Sequence, residues 1–223
     1  MLELKDLKRL VERNKDRHQE LNAVLIVAAA IWGVKSGELS LIEVADVLTP
    51  KGMLRKKWVL RKEIAFNGWA RELYTEHESL VGYLDEHLAF RIAQRQYVTN
   101  IGEYRGLDPE SKLFLSPKGE PFKFSRREAG NKVNLQPTGM NAYFKKLILN
   151  AGLPGITYKD FRRSLAIQMY REGARNTGVV KGIMQYLGIR SYSAMRKILN
   201  SDPKALHDMI KGIHKYAYVY RDV

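Results

Sequence analysis

From Leu21 to Trp32 the chain carries no charge and, apart from Asn22, nothing but apolar side chains, and Gly33 follows at once. A helix that is apolar on every side must be surrounded by the rest of the molecule or by lipid. This stretch falls short of the roughly 20 residues a helix needs to cross a bilayer. It therefore predicts a central, fully buried helix from about His18 to Trp32, ended by Gly33, around which the other elements pack. A hydrophobic content of 45% over 223 residues can supply that packing.

Apolar spacing predicts further helices on either side: a short one near Leu4 to Val11, and one opened by a capping box at Thr75-Glu76-His77-Glu78. The apolar face of the latter is Leu80, Val81, Leu84, Leu88 and Ile92. Between them, Ser36-Gly37 reads as a turn. Met53 to Tyr74 is rich in β-branched and aromatic residues, and Asn67-Gly68 is the dipeptide that most favours a two-residue hairpin turn. Tyr97 to Pro137 reads as irregular, basic and mobile, with one apolar run at Leu113-Phe114-Leu115. Helices return over Thr138 to Ala151, Tyr158 to Glu172 (stopped by Gly173), Gly178 to Leu187 (stopped by Gly188), Ser191 to Leu199 and Pro203 to Tyr216. Tyr143, Leu147 and Leu149 are expected to include core contacts. The fold class expected is mainly α with a small antiparallel β-sheet.

Charge narrows the function. Lys and Arg total 38 against 24 Asp and Glu, a formal charge of +14 spread along the chain, which favours a polyanionic partner. Duplex DNA is expected, with an anionic membrane surface as the weaker alternative. No cysteine is present, so disulfides, thiolate-ligated zinc and thiol catalysis are excluded. No HExxH, GxGxxG, GxSxG or Walker sequence occurs and the five histidines are scattered; no metal and no cofactor is expected. The amino terminus is charged from Glu3 and lacks a signal-peptide pattern, so a cytoplasmic, nucleoid-associated location is expected.

Four short motifs follow one another in order: Gly33-Val34-Lys35-Ser36-Gly37-Glu38-Leu39, a hairpin region carrying Lys62, Tyr158-Lys159-Asp160-Phe161-Arg162-Arg163, and Tyr186-Leu187-Gly188-Ile189. In this order they resemble the catalytic domain of the tyrosine recombinases, the phage integrase family. There the first motif reads approximately Gly-Leu-Arg-x-x-Glu-Leu, the third His-x-x-Arg and the fourth Leu-Gly-His. The resemblance runs from about Leu4 to Ile213 and includes Asp202-Pro203. It implies one integrase-like catalytic domain over residues 1–223, without the family's separate N-terminal core-binding domain, and a source in a phage, plasmid or other mobile element.

The family's chemistry is attack of a tyrosine hydroxyl on a DNA phosphodiester, with two arginines neutralising the phosphate, a hairpin lysine protonating the leaving oxygen and histidines assisting. Carried over residue by residue, Lys35 stands in place of the first arginine, a point charge for a planar fork. Lys62 is the hairpin lysine, with Lys56 and Lys57 as rivals. Lys159 replaces the first histidine and Arg162 matches the second arginine. Ile189 stands where the second histidine belongs, and Ile198 falls at the nucleophile's position, where an isoleucine cannot attack. The resemblance thus implies a remnant phosphate-binding basin of Lys35, Lys62, Lys159 and Arg162. Further DNA contacts are expected from Arg126, Arg127, Lys132, Asn141, Lys145, Lys146 and Arg163. Three functions stay open: a DNA-binding relative that does not cleave, with an accessory or regulatory role in recombination; an active recombinase whose nucleophile has moved to Tyr192, Tyr216, Tyr218 or Tyr220; and a protein that associates with itself or with an intact integrase through its last helix.

Overall fold

The computed structural model describes residues 2–129, 132–173 and 178–200. The predicted helix Pro203 to Tyr216 and the tyrosines Tyr216, Tyr218 and Tyr220 lie outside the described residues. The order of elements is α1 (Leu4–Arg13), α2 (Gln19–Trp32), α3 (Ser36–Leu41), α4 (Val44–Val47), β1 (Lys57–Leu60), β2 (Arg71–Tyr74), α5 (Glu78–Ala93), β3 (Ser125–Ala129), β4 (Lys132–Gln136), α6 (Thr138–Asn150), α7 (Tyr158–Gly173), α8 (Val179–Leu187) and α9 (Tyr192–Leu199). The fold is mainly α. Among the described residues the small antiparallel sheet expected takes the form of two separate hairpins, β1 with β2 and β3 with β4.

The apolar stretch forms the central helix as expected. In α2 Leu21, Val24, Leu25, Ile26, Ala28, Ala29 and Trp32 are all buried, each large side chain contributing about 1.5–3 kcal/mol by leaving water. Asn22, the polar exception, is also buried and is satisfied: its Nδ2 donates to the Asn14 carbonyl at 2.9 Å, and its Oδ1 accepts from the Tyr143 hydroxyl at 2.5 Å. Asn14 in turn donates to the Leu147 carbonyl at 3.0 Å, which ties α1 and α2 to α6. Leu147 is therefore a core residue and Tyr143 packs half-buried against the core, whereas Leu149 is exposed. Trp32 closes the core against β1, meeting Trp58 edge-on at 5.1 Å, and its indole N–H donates to the Tyr74 carbonyl.

Gly33 ends α2 in the left-handed conformation (φ 57°). The spot is closed to any larger residue, because a Cβ there would lie 2.5 Å from Leu187 and 2.7 Å from Leu165. Helices α7 and α8 thus converge on the end of α2. Behind them Ala166, Ile167, Tyr170, Ile183, Met184, Leu187, Met195 and Leu199 form a smaller second core joining α7, α8 and α9.

Four local expectations are corrected. Ser36-Gly37 is no turn but the start of α3, nucleated by the Glu38 carboxylate accepting the Lys35 backbone N–H at 2.8 Å. Asn67-Gly68 is not a two-residue hairpin turn. The strands part at Leu60 and Arg71, Gly68 closes a tight turn onto the Ala65 carbonyl, and the Asn67 amide reaches away to the Gly188 carbonyl. Thr75 does not cap α5; its N–H extends the first hairpin by bonding the Lys56 carbonyl, and the helix starts two residues later behind His77. Finally, residues 97–137 are not irregular throughout. Leu113, Phe114 and Leu115 are buried, clamped by Arg91 of α5 through the Lys112 and Leu113 carbonyls, and β3 with β4 forms the second hairpin. That hairpin exposes Ser125 to Glu128 and Asn134 to Gln136, so it has no apolar alternation to read.

Candidate functional site

The end of α2, the start of α3 and the first turns of α7 meet at one basic cluster. Lys35 caps α3. Arg162, one turn after Tyr158 on α7, donates from Nη1 to the Gly33 carbonyl at 3.3 Å, while the Tyr158 hydroxyl donates to the Val34 carbonyl at 3.0 Å. These two bonds seat α7 on the loop that carries Lys35, so residues remote in sequence share one local field. Burial and the neighbouring Arg162 charge, with Arg71 beyond, lower the Lys35 pKa, against the pull of Glu38. Burial and Arg71 act on Arg162 in the same direction; an arginine nonetheless stays cationic.

A buried ion pair lies beneath this cluster. Arg71 of β2 grips Glu38 of α3 with both guanidinium arms, at 3.1 and 2.6 Å. The same carboxylate accepts the backbone N–H groups of Lys35 (2.8 Å) and Phe66 (2.9 Å). Burial pushes the Glu38 pKa up, but Arg71 and the two N–H groups outweigh it and hold it below the usual carboxylate range. Lys35, Arg162 and Arg71 thus surround the Glu38 carboxylate, which is saturated by Arg71 and the backbone. The excess positive charge of Lys35 and Arg162 is left for an anion.

A loop, residues 61–70, lies against the cluster. Lys35 Nζ lies 4.1 Å from the centre of the Phe66 ring, and Arg190, just past α8, lies 4.9 Å from that of Trp69 and bonds the Asn67 carbonyl. Beside this loop a cleft of about 870 Å³ runs between β2 and α8, bordered by Trp69, Tyr74, Lys181, Ile189, Arg190 and Tyr192.

Of the sequence-predicted basin, the structure brings Lys35 and Arg162 together. Lys159 is exposed one turn earlier on the same helix. Lys62 stands outside the strands, 74% exposed, with its ammonium 4.0 Å from Glu63; its rival Lys57 is paired with Glu72 at 3.0 Å. Ile189 and Ile198 both pack against the second core. Asn141, Lys145 and Lys146 are exposed on α6, and Arg163 lies 3.7 Å from Asp160. Arg126 and Arg127 are exposed on β3, Arg126 paired with Glu128, and Lys132 opens β4. This hairpin springs from beside the basin, since Phe124 and Pro137 at its base flank Gly37 of α3.

Sequence reasoning missed Arg71, Arg190, Phe66 and Trp69. A signal for Arg71 existed: it shares the inward parity of Leu73 on β2, and an arginine at such a position requires a buried acid. The aromatic pair had none, because exposed aromatics are not distinguishable from core aromatics by spacing alone.

The same arrangement of elements occurs in solved structures. The chain is similar to the XerA recombinase (19% identity, TM-score 0.64, covering 95% of this chain and 64% of that one). It is similar also to the XerH site-specific recombinase bound to its difH substrate before cleavage (17%, 0.61, 100% and 54%). A third is the Tn1549 transposon integrase in complex with transposon right-end DNA (11%, 0.61, 97% and 65%). No family model and no curated protein matches the chain. These likenesses establish an integrase catalytic-domain fold, and the chain spans between about half and two thirds of the length of the proteins that share it.

Proposed function

We propose that the protein binds double-stranded DNA by seating a backbone phosphate between Lys35 and Arg162, and that it does not cut the strand it holds. The observation that carries this reading is the pairing of those two cations, fixed by Gly33 and Val34 carbonyls beside a Glu38 carboxylate that is already saturated. Lys159 on α7, Arg126 and Arg127 on the second hairpin, Lys132, and Asn141, Lys145, Lys146 and Arg163 add phosphate contacts that position the duplex without reading its sequence. Solved structures of this fold bound to DNA substrates support the partner. The loss of cleavage rests on Ile198, which has no hydroxyl to attack phosphorus, on Ile189, which cannot hydrogen-bond a phosphate oxygen, and on Lys35, which lacks the arginine fork. The biological role that fits is an accessory or regulatory one in DNA recombination or integration.

A second reading has one observation in its favour: Tyr192, at the start of α9, is 65% exposed and borders the cleft beside Arg190. In that reading Tyr192 replaces the missing nucleophile. One experiment separates the two. The protein is incubated with duplexes nicked beside candidate scissile phosphates, drawn from the DNA flanking its gene, then denatured and resolved by size. Binding without a covalent adduct is expected. An adduct abolished by Tyr192→Phe would establish the second reading and overturn the first; an adduct that persists would direct peptide mapping to Tyr216, Tyr218 and Tyr220.

A further inference from the structure

We infer that Phe66 and Trp69 form a stacking platform for an unstacked nucleobase next to the phosphate held by Lys35 and Arg162, so that the protein prefers gapped DNA to a continuous duplex. The inference rests on the DNA-binding reading above and goes beyond it.

Isolated exposed aromatics are ordinary. This pair is not isolated. Phe66 is 64% and Trp69 65% exposed, on one loop, and each ring has a cation over it, Lys35 over Phe66 and Arg190 over Trp69. The backbone between them is pinned at every step: Phe66 N–H to Glu38, Asn67 side chain to the Gly188 carbonyl, Asn67 carbonyl to Arg190, and Trp69 N–H to the Asn67 side chain at 3.1 Å. Gly188 is closed to larger residues by this arrangement, since a Cβ there would lie 2.9 Å from the Asn67 amide and 3.1 Å from Arg71. The ordering cost that a flexible loop would meet on binding is thus met in advance by the fold.

The surroundings select the occupant. Lys35 contacts the Phe66 ring and is also one half of the phosphate seat, so the platform begins where the phosphate ends. Arg190 and Lys181 edge the cleft beyond Trp69, and the carboxylate on its border, Glu72, is neutralised by Lys57. A planar apolar face rimmed with cations is complementary to a base that carries its own phosphates. In a continuous duplex both faces of each base are covered by neighbours, so the platform becomes available to DNA only where stacking is broken.

The test compares an intact duplex with the same duplex carrying a one-nucleotide gap, for wild type, Trp69→Ala, Trp69→Phe and Phe66→Ala. Trp32 and Trp58 are 0% and 3% exposed, so iodide quenching of intrinsic fluorescence reports on Trp69 alone. The expected result is tighter binding of gapped DNA by wild type, with Trp69 protected from iodide. Trp69→Ala should lose about tenfold on gapped DNA while keeping its affinity for the intact duplex, and Trp69→Phe should retain most of the preference. Duplex binding with no gap preference in wild type, or a preference unchanged in Trp69→Ala, overturns the platform and leaves the loop as a surface for a protein partner. Failure to bind any DNA overturns the DNA-binding reading itself.

Discussion

Glu38 and Arg71, on a short helix and on a strand, are joined by two hydrogen bonds of 2.6 and 3.1 Å in a place almost closed to water. Through the backbone N–H groups of Lys35 and Phe66, this pair sets both the start of α3 and the anchor of the 61–70 loop. Removing one partner strands the other's charge. Glu38→Gln is therefore expected to cost about 3–5 kcal/mol of stability and to weaken DNA binding in the fraction that stays folded. Urea denaturation followed by circular dichroism checks the first effect, and anisotropy below the transition checks the second.

The left-handed Gly33 is the pivot between α2 and α7. Gly33→Ala adds a methyl within 2.7 Å of both Leu165 and Leu187 in a conformation that already disfavours it. A loss of roughly 1–3 kcal/mol is expected from overpacking. Because the Gly33 carbonyl also holds Arg162, affinity for DNA should fall in the same variant, measured at a temperature where it remains folded.

Much of this was readable in the chain, and the failures have physical causes. The central helix, the apolar face of α5 and the last three described helices are announced by runs or spacing of apolar residues and by Gly33 and Gly188, because burial of one face is what periodicity records. That Lys35 and Arg162 lie close together was legible through the order of the motifs. Arg71 offered only its inward parity with Leu73, which calls for a buried acid but does not say that the acid is Glu38 of α3. The β3 and β4 hairpin was hidden for a different reason: its exposed strands pack against little that would demand alternation. Lys62 stands on the loop between β1 and β2 and not on a strand, because the strands part at Leu60 and Arg71, earlier than a two-residue turn at Asn67-Gly68 would have them part.

His87 gives the protein an acid limit. Its ring is buried against Phe114, its Nε2 donates to the Leu113 carbonyl, and burial lowers its pKa from 6.5 to about 4. Above about pH 6.5 the ring is neutral in both folded and unfolded chains and stability is independent of it. As pH falls from there toward 4, the unfolded chain takes up a proton that the folded one refuses, so stability declines, by at most about 3 kcal/mol. Denaturation midpoints between pH 7.5 and 5 should show this fall. His87→Gln, less stable throughout, should show a shallower one, and an equally steep slope in that variant would assign the effect to other groups.

The most direct measurement is fluorescence anisotropy of a short labelled duplex titrated with wild-type protein and with the Lys35→Ala/Arg162→Ala variant over a series of salt concentrations. The logarithm of the wild-type affinity should fall linearly with the logarithm of salt, by about 0.9 per phosphate neutralised. The variant should bind more weakly at low salt and with a shallower slope, because two of the neutralising cations are gone, while its circular dichroism matches the wild type. Equal affinities and equal slopes for the two proteins would contradict the account, and would move the DNA away from the basin that Lys35 and Arg162 form.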